Sequence, residues 1–87
     1  VNCHPALLPN FGGRGMYGRF VHEAVVKAKV SKTGVTVHFV NENYDEGEHI
    51  LQNEIEVYDN ESIDSVENRV KEIESITIVE AFKKLIN

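Results

Sequence analysis

Cysteine, proline and aromatic residues are scarce in this 87-residue chain: one Cys, two Pro, no Trp, and 8% Phe and Tyr together. A lone thiol, Cys3, excludes an intrachain disulfide and suits a reducing, cytoplasmic setting. Basic side chains are also few. Nine Lys and Arg against 14 Asp and Glu leave a net charge of −5, and the nine are scattered. Without a basic cluster there is nothing to track phosphates, so nucleic acid is excluded as the main partner. No apolar run approaches the roughly 20 residues of a membrane-spanning helix, and no signal-peptide pattern opens the chain. Neither a membrane partner nor an exported product is expected. What remains, 41% hydrophobic and 26% charged, is the composition of a globular domain or part of one. The chain begins at Val1 rather than Met, in what reads as a strand entering a loop, which predicts a polypeptide that extends upstream.

Hydrophobic spacing sets out the elements. Val1 to His4 is short and apolar, and Pro5 pushes His4 toward extended geometry. Pro5 to Gly15 is loop chemistry, long enough to carry function. Tyr17, Phe20, Val21, Ala24, Val25 and Ala28 recur at helical spacing, predicting a helix over 16–29. Gly34 opens a strand over 35–40, with Val35, Val37 and Phe39 on one face and Thr36, His38 and Val40 on the other. Residues 41–47 form a polar, acidic loop, longer than a tight hairpin requires. A second strand over 48–58 places Leu51, Ile55 and Val57 together, with Asn53 interrupting that face as a bulge or edge residue. Asp59, Asn60 and Ser62 are candidate caps for a last helix. Its first stripe is Ile63, Val66, Val70 and Ile73; a second, Ile78, Ala81, Phe82 and Leu85, is displaced in phase. The β-branched run 76–79 between them predicts a break. The fold class is α/β, in the order β-α-β-β-α.

Asn2 and His4 are two apart on an extended segment, so their side chains leave one face. An amide and an imidazole there can address a single carbonyl oxygen. A carboxylate from a separate loop would stabilise the imidazolium and make it a usable acid near neutral pH. Asp45, in the acidic loop, is the candidate. On spacing alone Asn-x-His is more often a hydrogen-bonded loop histidine than a catalytic pair.

The surrounding residues say more. Asn2-Cys3-His4-Pro5-Ala6-Leu7-Leu8-Pro9 closely resembles the active-site signature of the phosphoribosylglycinamide formyltransferases. A second block follows in the right order: Thr33-Gly34-Val35-Thr36-Val37-His38-Phe39-Val40, then Tyr44-Asp45-Glu46-Gly47, then Ile50-Leu51-Gln52. The stretch Phe11 to Gly18 resembles one branch of that family. The resemblance implies the C-terminal part of a Rossmann-like formyltransferase fold over residues 1–87, with the half bearing the glycine-rich phosphate loop lying upstream. It implies formyl transfer from 10-formyltetrahydrofolate to the amine of glycinamide ribonucleotide, a step of purine synthesis, by a monomer or homodimer and without a metal. Asn2 and protonated His4 would stabilise the oxyanion, with His4 as general acid. Asp45 would hold and charge His4. Glu74 would contact the ribonucleotide, and Asn2 with the backbone of Asn41, Glu42, Asn43, Tyr44 and Asp45 would line the folate cleft. Glu74 is followed by Ser75, and Ile78-Val79 stand where the family often carries Tyr-Pro. A related formyltetrahydrofolate deformylase, a methionyl-tRNA formyltransferase and a non-catalytic folate-binding module are the alternatives.

Other side chains have plainer readings. Cys3 points away from His4 on a strand and is expected in the core. His22, His38 and His49 lack ligand spacing, so no metal site is expected. Glu42, Glu46 and Glu48 read as solvated side chains. Gly12, Gly13 and Gly15 lack the strand and helix that would make them a dinucleotide cradle.

Overall fold

The computed structural model describes residues 1–39 and 48–86. The chain runs β1 (Asn2–His4), α1 (Arg19–Lys27), β2 (Lys32–His38), β3 (His49–Glu56) and α2 (Ile63–Ile86), the order read from the sequence. The strands form one antiparallel sheet, β1-β2-β3. In this register Cys3, Val37 and Leu51 share one face with Val35, Asn53 and Ile55, while Asn2, His4, Thr36, His38 and Gln52 share the other.

The first face is the apolar one, and α2 covers it. Val35 packs on Val66 and Val70, and Val37 and Ile50 pack on Ala81. Each fully buried Val contributes roughly 1.5–3 kcal/mol over an exposed one, as an upper bound. Val26 of α1 reaches the same core from the side, while Val21 and Val25 pack on Ala6 and Phe11. Pairing between β2 and β3 is tight at Gly34, where a Cβ would overlap the Asn53 carbonyl oxygen and stand 2.8 Å from the Glu54 Cα. Ser62 caps α2, its Oγ accepting the Ser65 N–H at 3.1 Å.

Several expectations need correction. The last helix is unbroken from 63 to 86. Thr77, in the β-branched run, is fully buried; its hydroxyl donates to the Ile73 carbonyl (2.6 Å) and accepts from Asn53 Nδ2 (2.8 Å). That clasp to β3 outweighs weak local propensity. Asn53 is therefore an edge-strand residue with a helix partner. The irregularity lies instead between Val37 and His38, where Ile50 is the extra residue. The first helix starts at Arg19 and not 16, because Gly18 adopts φ 55°, outside helical space and costly for any residue with a Cβ. Tyr17 and Phe20 are consequently exposed, and His22 takes a buried place. The first long strand is Lys32–His38, with Phe39 already 45% exposed.

Candidate active site

His4, Thr36 and His38 on the polar sheet face are buried without being apolar, so each needs a partner. The loop after β1 supplies those of His4 and Thr36. Thr36 Oγ1 donates to the Ala6 carbonyl at 2.7 Å and accepts the Leu8 N–H at 3.1 Å. Gln52 Nε2 donates to the Leu8 carbonyl and to Thr36 Oγ1, both at 2.9 Å. Two neighbouring strands thereby pin the start of the loop across the sheet. The leucine-proline bond that follows, Leu8-Pro9, is cis.

His4 closes this loop from below. It is buried, and its Nε2–H donates to the Phe11 carbonyl at 2.8 Å. Phe11 holds φ 56° there, and its ring packs against Ala6, Val21 and Val25. Helix α1 thus sets the position of the carbonyl that orients the imidazole. Asn2, exposed on the same face of β1, stands next to it. Both line a cavity of about 470 Å³ together with Pro5 and the glycine-rich stretch Gly13 to Gly18.

Asp45 lies outside the described residues, as do Asn41, Glu42, Asn43 and Tyr44. The described residues that flank 40–47 are joined, the Phe39 N–H donating to the Glu48 carbonyl at 3.0 Å. They leave the sheet beside His38, the register partner of Asn2. The described residues on either side of 40–47 therefore lie at the Asn2 end of β1.

Glu74 does not line the cavity of Asn2 and His4. Its charge acts on Cys3 from the α2 side. Burial, with Glu74 second, pushes the Cys3 thiol up to about 11, which removes it as a nucleophile near neutral pH. His38 is buried, with its Nδ1–H donating to the Phe39 carbonyl at 3.0 Å. Among the described residues no three His, Cys, Asp or Glu side chains gather closely enough to hold a metal ion.

The formyl transferase family model matches residues 1–82. The chain belongs to that family. It is 46% identical over 70 residues, 80% of its length, to the chloroplastic phosphoribosylglycinamide formyltransferase of Arabidopsis thaliana, and spans 24% of that protein. It superposes on the phosphoribosylglycinamide formyltransferase of Bacillus halodurans with a TM-score of 0.85 at 29% identity, covering 99% of this chain and 42% of that one. A methionyl-tRNA formyltransferase of Ehrlichia ruminantium is 30% identical over 87 residues, 100% of this chain and 27% of that protein. The described elements are thus part of the Rossmann-like formyltransferase fold.

Sequence reasoning gave no structural role to three residues that the fold places around the His4 loop. Thr36 and Gln52 position the loop that carries His4, and their signal was polarity on a central strand's second face. His22 lies buried with Nδ1 unpartnered. Burial holds it below the usual 6.5; Glu67 opposes this, while Lys71, Arg19 and His4 reinforce it.

Proposed function

We propose that these 87 residues are the C-terminal portion of a phosphoribosylglycinamide formyltransferase catalytic domain, and that Asn2, His4 and Asp45 are its catalytic residues. The observation that carries this reading is a buried His4, its ring fixed by the Phe11 carbonyl, beside Asn2 at an open cavity. The 46% identity to a phosphoribosylglycinamide formyltransferase, against 30% to a methionyl-tRNA formyltransferase, supports glycinamide ribonucleotide as the acceptor.

The glycinamide ribonucleotide amine attacks the formyl carbon of 10-formyltetrahydrofolate, and negative charge collects on the formyl oxygen. The Asn2 amide and the His4 imidazolium donate to that oxygen. One preorganised donor of this kind contributes roughly 3–4 kcal/mol to the transition state. Collapse then breaks the bond to the folate nitrogen, which takes a proton from His4 as general acid, while the attacking amine releases the proton that restores the imidazolium. Asp45 holds the imidazolium, and the backbone of 41–45 lines the pteridine cleft. Glu74 contacts the ribonucleotide.

The chain spans 42% of the Bacillus halodurans structure, and its apolar surface fits a missing neighbour. Val1, Ile78, Phe82 and Leu85 border a groove floored by Cys3, Val37 and Ala81, beside the outer edge of β1. The remaining strands and helices of the domain pack there. The test is an assay of the full-length protein with 10-formyltetrahydrofolate and, in turn, glycinamide ribonucleotide, methionyl-tRNA or water. Formyl transfer to the ribonucleotide is expected; formate release or formyl-tRNA formation alone would overturn the assignment.

A further inference from the structure

The chain has three arginines, Arg14, Arg19 and Arg69, and two of them are committed to carboxylates. Arg19 pairs with Asp64 at 2.6 Å and Glu67 at 3.3 Å. Arg69 pairs with Glu61 at 2.7 Å and lies over the Tyr58 ring. Arg14 makes no ion pair or side-chain hydrogen bond with any other described residue. Yet the protein is acidic overall, with carboxylates in excess. Among the described residues no carboxylate takes the Arg14 guanidinium, which leaves its charge available to something else.

Its position says what. Arg14 lines the cavity of Asn2 and His4, and it is the only Lys or Arg among the described residues that do. Gly13 (φ 90°) and Gly15 (φ 83°) flank it, and nothing lies within 4 Å of where a Cβ on either would stand. The stretch is pinned at both ends, by the Met16 N–H on the Gly13 carbonyl and the Tyr17 N–H on the Gly15 carbonyl, both 3.2 Å. Arg14 is therefore carried on a short, uncrowded rim directly over the site. A guanidinium presents a planar fork of N–H donors matched to phosphate and carboxylate oxygens.

We propose that Arg14 is a substrate-binding residue that takes an oxyanionic group of a substrate bound against Asn2 and His4. This rests on the formyl-transfer reading, in which both substrates are anions: the ribonucleotide bears a phosphate and the folate bears the carboxylates of its glutamate. Arg14 touches neither reacting atom, so it strengthens ground state and transition state alike and acts on KM rather than kcat.

The experiment measures KM and kcat of the full-length protein and of Arg14→Ala and Arg14→Lys. Four ligands separate the sources: the ribonucleotide with and without its phosphate, and the folate with and without its glutamate. Loss of a charge-assisted pair is worth about tenfold in KM. Arg14→Ala is expected to raise KM about tenfold for the one intact anionic substrate that Arg14 holds, with kcat within twofold. Its analogue lacking the anion should bind wild type and variant equally. Arg14→Lys should recover part of the loss. Unchanged KM for both intact substrates, or a fall in kcat alone, would overturn the assignment. If wild type transfers no formyl group, the formyl-transfer reading fails separately. Equilibrium binding of the same four ligands to wild type and Arg14→Ala then decides the role of Arg14, equal affinities overturning it.

Discussion

Thr36 is where fold and site meet in one side chain. Its hydroxyl serves the Ala6 carbonyl, the Leu8 N–H and the Gln52 amide at once. Thr36→Val keeps the shape and strands those groups in a buried place, at about 1–3 kcal/mol. Urea titration of the full-length protein should show that loss, accompanied by reduced turnover as the His4 loop loosens. His22 makes a second residue-scale prediction. Its folded-state value lies below the usual 6.5 because burial disfavours the cation. The unfolded chain therefore binds the extra proton between the two values, and stability falls as pH drops below about 6.5. His22→Gln should flatten that part of the stability–pH curve; an unchanged slope would mean that His22 titrates freely when folded. That Asn2 and His4 share a face was legible because strand alternation puts i and i+2 together; singling them out as site residues took the resemblance of the block from Asn2 to Pro9. The burial of His22 was not, since a histidine on a helix reads as polar until a neighbouring helix covers it.

Among the elements, β2 was the most legible, its alternation of Val35 and Val37 with Thr36 and His38 surviving intact. What periodicity could not convey is that both faces of β2 are covered, one by α2 and one by a loop. The unbroken α2 was illegible for a related reason. A run of β-branched residues argues locally for a break, and only the Asn53–Thr77 contact across elements overrules it. Thr77→Ala should remove that contact and cost about 1–2 kcal/mol, with lost helix signal on thermal scans. Gly34→Ala should be worse, because the added methyl meets backbone rather than a side chain that can turn aside. Overpacking of this kind costs about 1–3 kcal/mol or more.

At the scale of the whole molecule, the sheet has two unpaired outer edges among the described residues, and an apolar groove lies open beside one of them. β1 has a partner on one side only among the described residues. Phe82 and Leu85 are about half exposed beside it, and unpaired edges next to apolar surface invite association. The 87 residues expressed alone are expected to self-associate and to show no formyl transfer. Sedimentation that returns a concentration-independent monomer mass would contradict the first expectation. Chemistry in the full-length protein is tested most directly by His4→Asn, followed under single turnover with 10-formyltetrahydrofolate and glycinamide ribonucleotide. Turnover should fall about 10²–10⁴-fold while folate binding stays within a few-fold of wild type. A variant that still transfers formyl groups at the wild-type rate would show that the buried imidazole at the end of β1 takes no part in the reaction.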